Sequence, residues 1–233
     1  MNTELRRKTQ LMGAWSGVLY VVLLTIGWVF IAGFVPAHSP TAGAEEIANI
    51  YAQDSVKIRI GMVFVMFGAM MCIPFTGAVA SALYRIEGGL GMLTASQIMA
   101  GVANTMLTFY PPLWWIIASF RADRSPELVQ LLNDVGWIQL IGGLTPFLPM
   151  LLTVGIASLN DKSKNPVFPR WVGFFNFWVF VLVLPGQLLF FFKTGPFAWN
   201  GLIAFWLPVF VFCAWFLVMF KMLRDDVLRE TNG

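Results

Sequence analysis

Two groups of side chains in this sequence carry types and spacings that could hold something. Met62, Met66 and Met70 recur every four residues in one apolar stretch, with Met71 and Cys72 just after them and Met99 and Met106 in the next stretch. At that spacing thioethers stack along one face of a helix, and thioether and thiol sulfurs are soft ligands that select Cu(I). Methionine also fills irregular apolar gaps, and no Met- or His-rich segment stands ready to recruit copper, so copper(I) handling is the remote reading. The second group is uncharged: Asn104, Thr108, Gln139, Asn176 and Gln187, each inside a long apolar stretch. An amide in hydrocarbon needs a partner. These side chains are therefore expected to face inward, either tying helices together or anchoring a pocket for a hydrophobic small molecule. Tyr110, Trp114 and Trp115 could supply aromatic walls for such a pocket, or belong to an aromatic belt at the membrane surface.

Other chemistries find no support. The chain has one histidine, His38. That excludes a bis-histidine heme within the chain and a histidine-built zinc or di-iron site. His38 falls in a loop and reads as a solvated side chain. No Gly-x-Ser-x-Gly elbow, phosphate-binding Gly-x-x-x-x-Gly-Lys or Gly-x-Gly-x-x-Gly occurs. The apolar stretches carry no central charge, since Arg59, Asp134 and Lys193 lie only at their ends, which counts against an ion-coupled carrier. Cys72 and Cys213 sit inside apolar stretches and read as packing residues. No catalytic residue is identified, and no cofactor follows.

The elements that must position these residues are written for lipid. The sequence is 58% hydrophobic and 12% charged, against nearly half and a quarter in soluble domains. Six stretches approach the roughly 20 apolar residues that a spanning helix needs: 13–34, 60–84, 90–119, 135–159, 171–192 and 200–221. Val35-Pro36-Ala37 resembles a signal cleavage site, but the apolar run before it is too long for a signal core and is read as a true span. The chain is thus expected to be a single all-α membrane domain over 1–233, a bundle of six transmembrane helices. With the N-terminus inside, Arg6, Arg7, Lys8, Arg85, Lys162, Lys164, Arg170, Lys221, Arg224 and Arg229 fall on the inner side. Lys57, Arg59, Arg121, Arg124 and Lys193 fall outside, so ten basic residues against five place both termini in the cytoplasm. These charges mark topology rather than nucleic-acid binding.

Two outer loops read as short amphipathic helices. Ser39 is the expected N-cap of the first, with Pro40 at its first position and Ala44, Ile47, Ala48 and Tyr51 on one face. Ser125-Pro126-Glu127 opens the second, with Leu128, Leu131 and Leu132 along one side. The spacings Glu46 to Gly61 and Glu127 to Gly142 are both 15 positions, a weak internal repeat of outer helix and returning span. Five of the spans hold proline (Pro74, Pro111 with Pro112, Pro146 with Pro149, Pro185 and Pro208), so a kinked bundle with a cavity is expected. In the inner turn after the second span, Arg85 and Glu87 are expected to pair.

Several motifs carry a family resemblance: Glu45-Glu46-Ile47-Ala48 with Tyr51, Arg59-Ile60-Gly61, Arg85-Ile86-Glu87-Gly88, Phe168-Pro169-Arg170-Trp171 and Gly195-Pro196-Phe197-Ala198-Trp199-Asn200-Gly201. With the whole-chain pattern they resemble bacterial six-helix membrane proteins classed as a domain of unknown function. The resemblance implies a multi-pass protein of the bacterial inner membrane and brings no activity or residue role. The Met-x-x-x-Met spacing separately resembles membrane copper carriers. Three functions stand open at this point. The chain is first read as a non-catalytic accessory subunit of a larger membrane complex, with membrane lipids and partner subunits or its own copies around it. The alternative is binding or transport of a lipid, sterol or quinone, and copper(I) is the remote third.

Overall fold

The computed structural model describes residues 3–229, which are mostly helical with no strand among them. Helix α1 (Thr3–Leu24) ends in a π turn, Thr25–Ile31; α2 is Ala44–Gln53, α3 Ser55–Glu87 and α4 Met92–Phe120. Then come α5 (Pro126–Trp137), a π turn Ile138–Gly142, α6 (Phe147–Asn160) and α7 (Arg170–Val183) with a 3₁₀ extension, Leu184–Phe190. A π turn, Leu202–Trp206, leads into α8 (Leu207–Arg229). Five of these helical stretches are long and apolar enough to cross a membrane: Glu4–Ile31, Ser55–Glu87, Pro126–Asn160, Arg170–Phe190 and Leu202–Arg229. Helix α4 is as long as the others but carries a polar stripe that lowers its hydropathy.

Proline explains where helical geometry changes. Pro146 precedes α6, Pro185 opens the 3₁₀ turn and Pro208 follows the last π turn. Each lacks the N–H that would continue the ladder. Pro74 and the Pro111-Pro112 pair are instead contained within α3 and α4. Helices α1 and α3 approach through glycine: a Cβ on Gly27 would collide with the Gly61 carbonyl oxygen, and one on Gly61 with that of Gly27. Small residues at such a crossing let backbones touch where lipid gives no hydrophobic drive.

Two apolar cores result. One lies toward the end where α1 begins and α8 finishes, termed the inner end, and gathers Tyr20, Phe75, Phe147, Trp215 and Phe216; the other, toward the opposite or outer end, gathers Trp28, Phe34, Tyr51, Trp115, Trp137 and Phe205. At the inner end Arg85 Nη2 reaches Asp226 Oδ2 at 2.6 Å, joining α3 to α8. The pairing of Arg85 with Glu87 expected from sequence does not form. The Glu87 carboxylate takes the amides of Leu93 (3.0 Å) and Thr94 (2.7 Å) and the Thr94 hydroxyl (2.6 Å), so it caps α4, whose first amides have no partner within the helix.

At the outer end two further expectations are corrected and one, the opening of α5 at Ser125-Pro126, holds. Helix α2 begins at Ala44 with Gly43 as N-cap, not at Ser39, because the Ser39 hydroxyl is engaged with that of Thr41 (2.9 Å) in a preceding turn. Ser125 does precede α5 with Pro126 at its start, but no side-chain cap bond forms. The buried face of α5 is Val129, Asn133, Gly136 and Trp137, whereas Leu128 and Leu131 are 50% and 57% exposed. In an apolar solvent leucine gains nothing by turning inward, and an amide gains its hydrogen bonds.

Candidate functional site

On α4, Thr94, Gln97, Gly101, Asn104 and Thr108 follow one another at three- and four-residue steps, so they share a face, with Thr105 beside Asn104. All are buried. This face meets α3 and α6. Gln97 Oε1 accepts the Thr153 hydroxyl at 2.6 Å, and Asn104 Nδ2 donates to Cys72 Sγ at 3.6 Å. The Thr105 hydroxyl donates to the Gly101 carbonyl at 2.9 Å, and that of Thr108 to the Thr105 carbonyl at 3.2 Å. Gln97 Nε2 and Asn104 Oδ1 are buried without partners.

Above this stripe lies a narrow, almost wholly apolar cleft of about 50 Å³ between α1, α4, the π turn after α5, and α8. Leu24, Trp28, Leu107, Thr108, Trp115, Leu144 and Phe212 are among its walls, and Cys213 reaches its edge. The Trp28 indole N–H is buried and has no acceptor. The cleft is thus an apolar slot, one of whose wall residues keeps an unpaired donor, the pattern of an apolar site with few polar groups.

A second construction closes the outer end over this cleft. Asn133 Oδ1 receives three donors: His38 Nδ1 at 3.0 Å, the Tyr51 hydroxyl at 3.2 Å and Trp137 Nε1 at 3.2 Å. Because that oxygen can only accept, His38 carries its hydrogen on Nδ1. Trp115 Nε1 donates to the Asn133 carbonyl (3.3 Å), and Trp199 Nε1 to that of His38 (2.7 Å). The rings of Phe34, His38, Tyr51, Trp115 and Trp137 pack around this hub, most pairs edge to face, with Phe34 stacked on Trp137. One amide therefore joins the loop before α2, α2 itself, and α5. Burial pushes the His38 imidazole below its usual pKa, opposed by the bond to Asn133. Burial, helped by the Asp134 charge, holds the Tyr51 phenol well above its own.

The residues singled out in the sequence disperse. Of the ligand group only Thr108 lines the cleft, with Asn104 one turn away. Trp114 Nε1 and Gln139 Oε1 bond to each other at 2.6 Å. Asn176 accepts Trp215 Nε1 at 2.8 Å and donates to the Val172 carbonyl at 2.8 Å, a tie between α7 and α8. Tyr110 is 42% exposed and Gln187 half-buried. Met62 is buried, Met66 half-buried and Met70 40% exposed, so the stripe winds from core to surface. The cleft walls escape sequence reasoning because leucine and phenylalanine carry no signal beyond apolarity. Asn133 does not stand out, because Gln130 and Asp134 on the same helix leave it undistinguished in sequence. His38 reads as a solvated loop residue in sequence, because only folding brings it beside Asn133.

Comparisons with protein-family models, with curated proteins and with solved structures found no match to this chain.

Proposed function

We propose that this protein is a six-span membrane protein that binds a slender hydrophobic molecule in the cleft beside Trp28. The carrying observation is the apolar slot whose wall residue Trp28 keeps a buried indole N–H without an acceptor. A buried donor left unpaired is costly, and a ligand acceptor would relieve it. The slot's narrowness favours an acyl or isoprenoid chain carrying one carbonyl or ether oxygen, as in a lipid or quinone, over a fused-ring sterol. The bacterial inner membrane, with both termini cytoplasmic, is the setting that the charge distribution supports. Helix α4 serves as the sixth span, tolerating its polar stripe because the bundle surrounds it.

Native mass spectrometry of protein extracted gently from its own membrane tests this reading. A discrete small-molecule adduct is expected on the wild type, weakened in Trp28→Phe and lost in Leu144→Trp, which fills the slot. An adduct that survives Leu144→Trp in a folded protein would overturn it. The accessory-subunit reading keeps one observation of its own: Trp171, Phe174, Trp178 and Val181 form a stripe of exposed side chains along α7 that a partner helix could cover. Extra protein mass at fixed stoichiometry in the same spectrum would favour it.

A further inference from the structure

The outer end of the bundle gathers three arginines at one pocket whose lining holds no carboxylate. Arg59 lies in the second turn of α3, Arg121 directly follows α4, and Arg124 stands in the turn before α5. With Asn49, Tyr51 and Ser55 they line a pocket of about 340 Å³. No acidic side chain lines it. Among the described residues none of the three arginines takes part in an ion pair. Arg59 Nε is engaged by the Ser55 carbonyl at 3.1 Å, which leaves its terminal amino groups. Arg124 Nε is buried and has no acceptor.

Three like charges at one pocket repel one another unless an anion enters. Guanidinium forks bind planar or tetrahedral oxyanions bidentately. A carboxylate brings one charge and two oxygens, too few for three forks. A phosphate group brings up to two charges and at least three acceptor oxygens. The pocket also opens where apolar surface begins: Phe120, in its wall, is 63% exposed, and Val56 and Ile60 flank Arg59 as exposed side chains. A phosphate at that level sits where the head group of a phospholipid meets its chains.

We propose that this pocket binds a phosphate group at the outer surface of the membrane through Arg59, Arg121 and Arg124, independently of what fills the cleft. The test uses the full chain in detergent and native mass spectrometry. The probes are a short-chain phosphatidic acid, the diacylglycerol of the same chains, and inorganic phosphate. Arg121→Gln changes an exposed side chain and leaves the fold intact, which its unfolding temperature without ligand checks. Arg121→Gln with Arg124→Gln removes two forks, and Lys193→Gln is a control for charge elsewhere on the outer face.

Phosphatidic acid is expected to add once, with affinity lowered about tenfold by Arg121→Gln, the scale of one charge-assisted contact, and further by the double variant. Lys193→Gln should leave it unchanged. If inorganic phosphate binds as well as the lipid, with the same dependence on the arginines, the pocket serves a soluble phosphate ester; if only the lipid binds, it serves a head group. The proposal is overturned if neither binds, if diacylglycerol binds as tightly as phosphatidic acid, or if Arg121→Gln, the double variant and Lys193→Gln all behave as the wild type does.

Discussion

Asn133 shows how one side chain can hold an end of the bundle. Its Oδ1 is the shared acceptor for Tyr51 and Trp137, both fully buried, and for half-buried His38. Asn133→Leu keeps the size and removes the acceptor. Two buried donors are then orphaned, at about 1–3 kcal/mol each, and the variant should lose about 2–6 kcal/mol on that basis. Thermal unfolding in detergent should show it, and a melting temperature equal to that of the wild type would refute the hub. His38 adds a pH dependence whose sign is set by its lowered pKa. Above the usual imidazole value of 6.5 both folded and unfolded chains hold it neutral, and its contribution is constant. As the pH falls below that value the unfolded chain takes up a proton that the folded chain refuses, so stability drops until the folded pKa is passed. Unfolding temperatures between about pH 7.5 and 5.5, above the carboxylate range, should therefore decline in the wild type and stay flatter in His38→Gln.

At the scale of elements, the crossing of α1 and α3 depends on bare backbone at Gly27 and Gly61. Gly61→Ala would press its methyl against the Gly27 carbonyl and the Ala32 amide, neither of which can swing aside as a side chain could. We expect a loss of about 1–3 kcal/mol, the cost of overpacking. Gly77→Ala in the same helix meets nothing within 4 Å and should gain about 0.5–1 kcal/mol from helix propensity. Opposite signs in the two melting curves are the expected result; equal signs would mean that the crossing is not tight. The apolar stretches were legible because length and hydropathy are properties of the chain itself. The inward face of α5 was not. Leu128, Leu131 and Leu132 look like a core stripe under the rule for water, yet the first two lie on the surface, and Asn133 turns inward. Nor could local reading find the partner of Arg85, because Asp226 lies 141 positions away. That tie should matter: Arg85→Ala would leave buried Asp226 with only the longer 3.5 Å contact to Arg229. The inner end should loosen, seen as faster proteolysis in the segment after α6, and the exchange Arg85→Asp with Asp226→Arg should restore part of the protection.

For the whole molecule, α4 decides how many times the chain crosses the membrane. Its polar stripe keeps it out of the set of stretches apolar enough to span, yet that stripe is buried inside the bundle, on the face that meets α3 and α6. At 29 residues and a rise of about 1.5 Å each it is about 43 Å long, more than the roughly 30 Å hydrocarbon core requires. Its start is capped by Glu87 at the end of α3, and its end shares a pocket with Ser55 and Arg59 at the beginning of α3. It therefore runs back along the full length of a helix that is itself apolar enough to span. If α4 crosses, the turn holding Asp123 lies outside and the loop holding Ser163 lies inside. If α4 does not cross, both positions change sides relative to the N-terminus. Single cysteines placed by Asp123→Cys and Ser163→Cys in a chain carrying Cys72→Ala and Cys213→Ala distinguish the two. In intact cells a membrane-impermeant maleimide should label position 123 and spare position 163 until the membrane is opened. The reverse pattern, in a chain whose amino-terminal tag is protected from protease added to intact cells, would place α4 on one side of the bilayer and remove the six-span reading, and with it the arginine pocket's outer address.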